Sequence, residues 1–192
     1  MQQVSNLRSN PLGDVPEVHP SAYVDPTAQL IGKIKVQENV FIAPNVVIRS
    51  DEPGPEGNVE PVIVGAGTNI QDGVIVHSRG GTSVVIGARS TLAHGVIIHG
   101  PSKIGPGCFL GIRSVIYTAT LEDGVWVGIG AIVMRAEIPF HTMIPAGSVV
   151  GSKEDVNQFR VTNHREQNYH QEVWEISHEL KDEYLELMSR NR

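Results

Sequence analysis

The apolar positions of this chain recur every six residues. Ile86, Leu92, Ile98, Ile104, Leu110 and Ile116 hold strict register, after two earlier runs, Val24, Leu30, Val36, Ile42 and Ile48, then Val64, Ile70 and Val76. A small residue often follows: Gly65, Gly87, Gly105, Gly111 and Gly128 each come directly after an aliphatic. An amphipathic helix repeats at 3.6 residues and a half-buried strand at 2, so neither accounts for the pattern. A period of six suits very short strands, each turning one aliphatic inward before the chain rounds a corner at a small residue. Three such strands close one triangular coil of about eighteen residues, and successive coils stack as parallel strands ~4.8 Å apart. The pattern predicts an all-β solenoid, a parallel β-helix of hexapeptide repeats over residues 20–151.

Breaks in the register mark where the chain leaves the coil. Between Ile48 and Val64 lies RSDEPGPEGNVEPVI, too polar and too rich in Pro and Gly for a strand, so a loop protrudes there. The ten-residue gap from Val76 to Ile86 reads as one rung plus four extra residues, with SRGGTS as a bulge. The gap of five from Ile116 to Leu121 is a slip of one, and MIPAGSVV (143–150) is the final coil. Residues 1–19 form an N-terminal arm. Residues 152–192 change texture: Val173, Ile176, Leu180, Tyr184 and Leu187 are spaced 3, 4, 4 and 3 apart, giving one apolar helical face. With Ser152 as N-cap and Glu154 and Asp155 in a first turn, this predicts a C-terminal helical segment packing on the β-helix. His164, His170 and His178 in that segment show no ligand spacing and are assigned to packing or solvent.

Composition narrows the function. At 192 residues the chain suits one sizeable domain, and 5% aromatics with 20 Gly and 12 Pro fit a turn-rich β protein. A net charge of −6 without a Lys/Arg cluster argues against a nucleic-acid partner. The single Cys108 makes no intrachain disulfide and reads as a small buried hydrophobe. No run approaches the roughly 18 apolar residues of a membrane span. The stretch MQQVSNLRSNPLGDVPEVHP has no apolar signal-peptide core, so a cytoplasmic location is expected.

Three histidines stand out against this background. His77 and His99 each follow an inward aliphatic, Val76 and Ile98. With the bulge counted as one rung, they lie one full coil apart and project from the same face at a spacing of ~4.8 Å. Two imidazoles so placed can share one metal ion, since Zn–N bonds are about 2.0–2.1 Å. His94 falls on the preceding rung, hence on another face, and points away from the pair within one chain. A neighbouring chain would have to present it, and a ring of three triangular prisms does so at each interface.

IRSDE (48–52), NIQDGVIVH (69–77) and LAHGVIIHG (92–100) together resemble the γ-class carbonic anhydrases, over a span from about Ala22 to the C-terminal helix. The resemblance implies a left-handed β-helix, contrary to the usual right-handed crossover, and a homotrimer with metal sites at its interfaces. It implies reversible hydration of CO2 to bicarbonate, with His77, His94 and His99 as ligands to Zn2+; imidazole suits Fe2+ and Co2+ as well. Gln71 matches the amide that orients metal-bound water or hydroxide. Arg49, Asp51 and Asp72 match ion-pair and hydrogen-bond support near the subunit interface, and Glu52 matches a carboxylate near the reacting oxygen. Three neutral ligands leave zinc an open position and its full charge, which makes bound hydroxide available at neutral pH.

The chain departs from the best-known branch of that family, which carries an acidic loop after the first ligand and a glutamate shuttle three residues on. Here Gly80, in HSRGGTS, occupies that place, as in the shorter subclass lacking the loop. Glu52, helped by Glu56 and Glu60, is the local candidate for proton transfer. The family's helical residue at the active site falls near Thr162 or Asn163. Two other functions stay open on sequence alone. A hexapeptide acyltransferase or acyl-CoA hydrolase would use one histidine as general base and leave the others and Gln71 unassigned. A non-catalytic assembly subunit would use the fold as a scaffold, against which the complete ligand set argues.

Overall fold

The computed structural model describes residues 6–190, the side chain of Lys153 excepted. The first five residues of the expected arm and the last two of the C-terminal segment lie outside the described residues. Strands of two to four residues sort into three parallel sheets, the three faces of a solenoid of about seven turns. Face 1 has eight strands, from Leu7–Arg8 to Val149–Val150; face 2 has seven, from Glu17–Val18 to Glu137–Ile138; face 3 has seven, from Tyr23–Val24 to Met143–Ile144. The architecture is the left-handed hexapeptide β-helix with a C-terminal α-helix.

The six-residue period builds one aliphatic column per face. In face 1, Leu30, Ile48, Val76, Ile98, Ile116, Val133 and Val150 are successive register partners. Val36, Val64, Ile86, Ile104, Leu121 and Ile138 do the same in face 2, and Ile42, Ile70, Leu92, Leu110, Val127 and Ile144 in face 3. None is more than 4% exposed. Each such side chain stabilises the fold by about 1.5–3 kcal/mol. Corners admit little more than backbone: a Cβ on Gly65 would lie 2.6 Å from the Ala88 nitrogen of the next coil.

Pairing begins before residue 20. Leu7 pairs with Leu30 and Glu17 with Lys35, so the expected arm supplies the first strands of faces 1 and 2. Within it Val18 keeps the six-residue register as the partner of Val36, while Leu7, at the open end of the coil, stays exposed. Residues 51–61 and 78–83 both leave the coil at the corner between faces 1 and 2, on successive turns. There the two loops meet backbone to backbone: a Cβ on Gly54 would lie 2.6 Å from Gly81 Cα.

Helix α1 (Lys153–Val156) closes the far end. Ser152 Oγ accepts from the Asp155 amide as its cap, and Val156 joins the core. Helix α2 (His164–Arg190) lies along face 3. Asn163 caps it, and Glu166 accepts from the Asn163 amide while pairing with Arg160 at 2.7 Å.

The docked side of α2 is not the one its apolar spacing predicts. Trp174 Nε1 donates to the Gly67 carbonyl, Ser177 and Lys181 are buried, Leu185 packs against Tyr23, Phe41 and Ala43, and Tyr184 stacks on Tyr23. Ile176 is 64% exposed and Leu187 52%. Trp174 offers both a flat apolar ring and a donor for an orphan carbonyl, which the aliphatic stripe cannot. Most of the predicted stripe therefore faces outward. Among the described residues, no helix is long and apolar enough to cross a membrane.

Candidate metal centre

In the middle of face 1 each strand turns outward the residues on both sides of its inward aliphatic. His77 and His99 are register partners there, with ring centroids 5.2 Å apart and planes at 69°. The same ladder continues to Arg49 one coil before His77 and to Tyr117 one coil after His99. Tyr117 stacks on His99 with centroids 5.2 Å apart, and the Arg135 guanidinium lies 6.0 Å over its ring.

His94 stands at the corner between faces 3 and 1, exposed, with Nδ1 2.8 Å from Asp72 Oδ2. That contact makes Nδ1 the protonated nitrogen and leaves the Nε2 lone pair outward. His99 has the same tautomer for a different reason: its Nδ1–H donates to the Gly100 carbonyl at 3.0 Å. His77 differs, because its Nε2 lies 3.1 Å from Arg49 Nη2 and 3.2 Å from Glu52 Oε1. Burial first, then the Arg49 charge, hold its pKa below the ordinary histidine value against an opposing pull from Glu52. The ring is thus neutral at neutral pH, with Nε2 accepting from Arg49 rather than ion-pairing with Glu52.

Within one chain, the described residues hold no group of three or more His, Cys, Asp or Glu side chains able to bind a metal. His77 and His99 form a pair, and His94 faces elsewhere. The chemistry of the donors nonetheless fits a divalent ion: three imidazoles, two with Nε2 set free by a backbone or carboxylate acceptor on Nδ1.

No family model matches the chain. It is 30% identical over 88% of its length to the carboxysome assembly protein CcmM of Nostoc sp., of which it spans 31%. It is 28% identical over 82% of its length to the carbonic anhydrase of Methanosarcina thermophila, of which it spans 72%. A solved hexapeptide transferase family protein from Anaplasma phagocytophilum superposes with a TM-score of 0.79 at 26% identity, covering 96% of this chain and 99% of that one. The chain belongs to the γ-class carbonic anhydrase family.

The remaining residues singled out by the resemblance to γ-class carbonic anhydrases fall into two groups. Arg49, Asp51 and Glu52 gather at His77: Arg49 Nε donates to Asp51 Oδ1 at 3.0 Å, and Arg49 Nη2 lies 3.7 Å from Glu52. Asp72 and Gln71 lie with His94 at the other corner, so Asp72 is apart from the Arg49–Asp51 pair of its own chain. That pair is also partly open to solvent here, with the Arg49 side chain 43% exposed.

Gly80 gains a role that sequence did not suggest. Its amide donates to Glu52 Oε2 at 3.2 Å, and a Cβ there would lie 2.5 Å from the Pro53 carbonyl oxygen. The bulge that lacks a carboxylate holds another one in place. Glu60 instead accepts from Asn58, and Glu56 is exposed.

Sequence reading missed Asn69, Ser177 and Tyr117. Gln71 Nε2 donates to Asn69 Oδ1 at 2.6 Å and to Ser177 Oγ at 3.3 Å. Ser177 of α2 thus hydrogen-bonds to the Gln71 side chain of the candidate site. Thr162 donates its amide to the His141 carbonyl, and Asn163 caps the helix. Of the other histidines, His170 packs edge-on against Phe109 and His178 stacks on Trp174. Cys108 is buried, and burial pushes its thiol up to about 12, so it is inert as a nucleophile.

Proposed function

We propose that the protein is a carbonic anhydrase hydrating CO2 reversibly, with a divalent ion held between copies of a homotrimer. His77 and His99 of one copy and His94 of the next would be the ligands, to zinc or to iron(II) or cobalt(II). The observation that carries this reading is the split donor set. Two imidazoles share one face at 5.2 Å while the third, oriented by Asp72, stands at another corner. Bound there, the ion supplies the Lewis acidity that makes water nucleophilic near neutral pH.

The chain's own residues supply the rest. Gln71 spends its Nε2 on Asn69 and Ser177, so Oε1 is the atom it offers to orient a water molecule. Glu52, fixed by the Gly80 amide, holds a carboxylate oxygen beside His77 that can take up the released proton. Arg49 and Asp51 neutralise each other beside it and set its position.

Apolar surfaces support the trimer. Face 1 exposes Ile75 and Ile97 next to His77 and His99. A groove of about 500 Å³ on the face 1 side of α2 is lined by Gln71, His94, Ile112, Ile129, Tyr169 and Ile176. A neighbour whose His77 and His99 approach His94 would bring its own Ile75 and Ile97 onto that groove.

Elemental analysis of the purified protein, combined with a stopped-flow CO2 hydration assay, tests the reading. About one metal per chain with catalysed hydration is expected. Full metal without hydration would end the catalytic reading. It would favour a scaffold role, the reading suggested by the relative named as an assembly protein.

A further inference from the structure

A ligating imidazole binds well only when something holds its ring, and the three imidazoles are held in different ways. His94 has a carboxylate behind it, with Asp72 Oδ2 2.8 Å from Nδ1. His77 lies among charged side chains, Arg49 Nη2 at 3.1 Å and Glu52 Oε1 at 3.2 Å. His99 has neither. Among the described residues its ring hydrogen-bonds to the carbonyl of the next residue, Gly100, at 3.0 Å. That bond fixes which nitrogen carries the proton, yet it leaves the ring free to pivot about a single line.

We propose that Tyr117 is the positioning residue of His99, its ring doing by stacking what a carboxylate does for His94. The proposal rests on the reading of the three histidines as a metal site.

Register and ring geometry carry it together. His77, His99 and Tyr117 are successive partners along face 1, so His99 has one aromatic neighbour on each side. His77 meets it edge to face, at 5.2 Å and 69°. Tyr117 meets it face to face, at 5.2 Å and 27°. An edge on one side and a face on the other leave the His99 plane one orientation, in an arrangement aromatic pairs favour.

Tyr117 is itself held by its ring. The Arg135 guanidinium lies 6.0 Å from its centroid, and the Arg135 amide donates to the Tyr117 carbonyl at 3.0 Å, which tethers that cation to the coil. The Tyr117 hydroxyl has no hydrogen-bond partner among the described residues. The phenol therefore acts through its face and not through its oxygen, and phenylalanine should replace it.

The test compares Tyr117→Phe, which keeps the face, with Tyr117→Leu, which removes it. In the metal-free protein at pH 8, long-range proton–nitrogen NMR reads the His99 ring, its signals assigned by their loss in His99→Gln. Wild type and Tyr117→Phe are expected to show one tautomer with the proton on Nδ1, and Tyr117→Leu an average of two. Zinc affinity, measured by chelator competition, should fall about tenfold or more in Tyr117→Leu and stay within twofold in Tyr117→Phe. Wild-type behaviour of Tyr117→Leu in either measurement overturns the proposal, and so does a Tyr117→Phe protein as impaired as Tyr117→Leu. If Tyr117→Leu sediments as a smaller species than wild type, the ring signals alone decide. A wild type that binds no zinc would end the metal reading instead, and the ring signals would still show whether Tyr117 holds His99.

Discussion

His94 and His99 each commit Nδ1 to an acceptor, and this sets what a single substitution does. His77→Ala, His94→Ala and His99→Ala should each strip most of the metal, because two imidazoles make a poor site, while the circular dichroism of the β-helix stays unchanged. Full occupancy in all three variants would remove the ligand assignment. Asp72→Asn should weaken metal binding by about 10–100-fold without removing a ligand, since it disturbs only the orientation and basicity of His94. Glu52→Ala and Gln71→Ala should separate in kinetics. Loss of the carboxylate lowers kcat in dilute buffer and is rescued in part by concentrated imidazole; loss of the amide lowers kcat/KM and resists rescue. Wild-type turnover of Glu52→Ala in weak buffer would place the proton path elsewhere. Coil arithmetic made the pairing of His77 with His99 legible, and the same step of one coil leads from His99 to Tyr117. Ser177 was not legible, because no local period relates it to Gln71, 106 residues away. Gly80 looked like a missing carboxylate because a sequence does not display the use of a backbone amide.

The aliphatic columns and α2 respond to different stresses. Ile98→Ala, in the middle of the face 1 column, should cost about 2–5 kcal/mol by denaturant titration, since coils stacked on both sides cannot close the cavity. The docking of α2 should depend on pH through His170, whose pKa falls from the ordinary 6.5 to about 4 in the folded chain. Between those values the unfolded chain binds the proton and the folded one does not. The contribution of the neutral ring is therefore complete above about 6.5 and lost progressively as pH falls toward 4. The urea midpoint followed by tryptophan emission should drop between pH 7 and pH 4.5, and His170→Phe should flatten part of that slope; an unchanged slope would reject the assignment. The columns were readable because every coil repeats one spatial rule, so the sequence period and the structural period coincide. The first strand, Leu7–Arg8, escaped because both its residues stay exposed at the open end and show no inward position, whereas Val18 keeps the register of Val24 and Val36. The face of α2 escaped because helical spacing shows which residues are apolar, not which surface covers them.

Exposed apolar groups on two separate surfaces argue for what the single chain cannot complete. Ile75 and Ile97 flank the histidine pair on face 1, while Ile129 is 59% exposed and Ile176 64% in the groove beside His94. In the proposed homotrimer, a closed ring of three would join the first surface of each copy to the second of the next, a heterologous contact that consumes both at once. Ile129→Asp places a carboxylate in the groove and touches no proposed ligand. It should convert a trimer at micromolar concentration into monomers by sedimentation, and metal content should fall with it although His77, His94 and His99 are all present. The same substitution should leave the melting of the coil itself nearly unchanged, since Ile129 belongs to none of the inward columns. A trimeric Ile129→Asp protein would show that the groove is not the interface. A monomeric variant that kept one metal per chain would show that His94 is not supplied by a neighbour, and the split donor set would then need another ligand from within the chain.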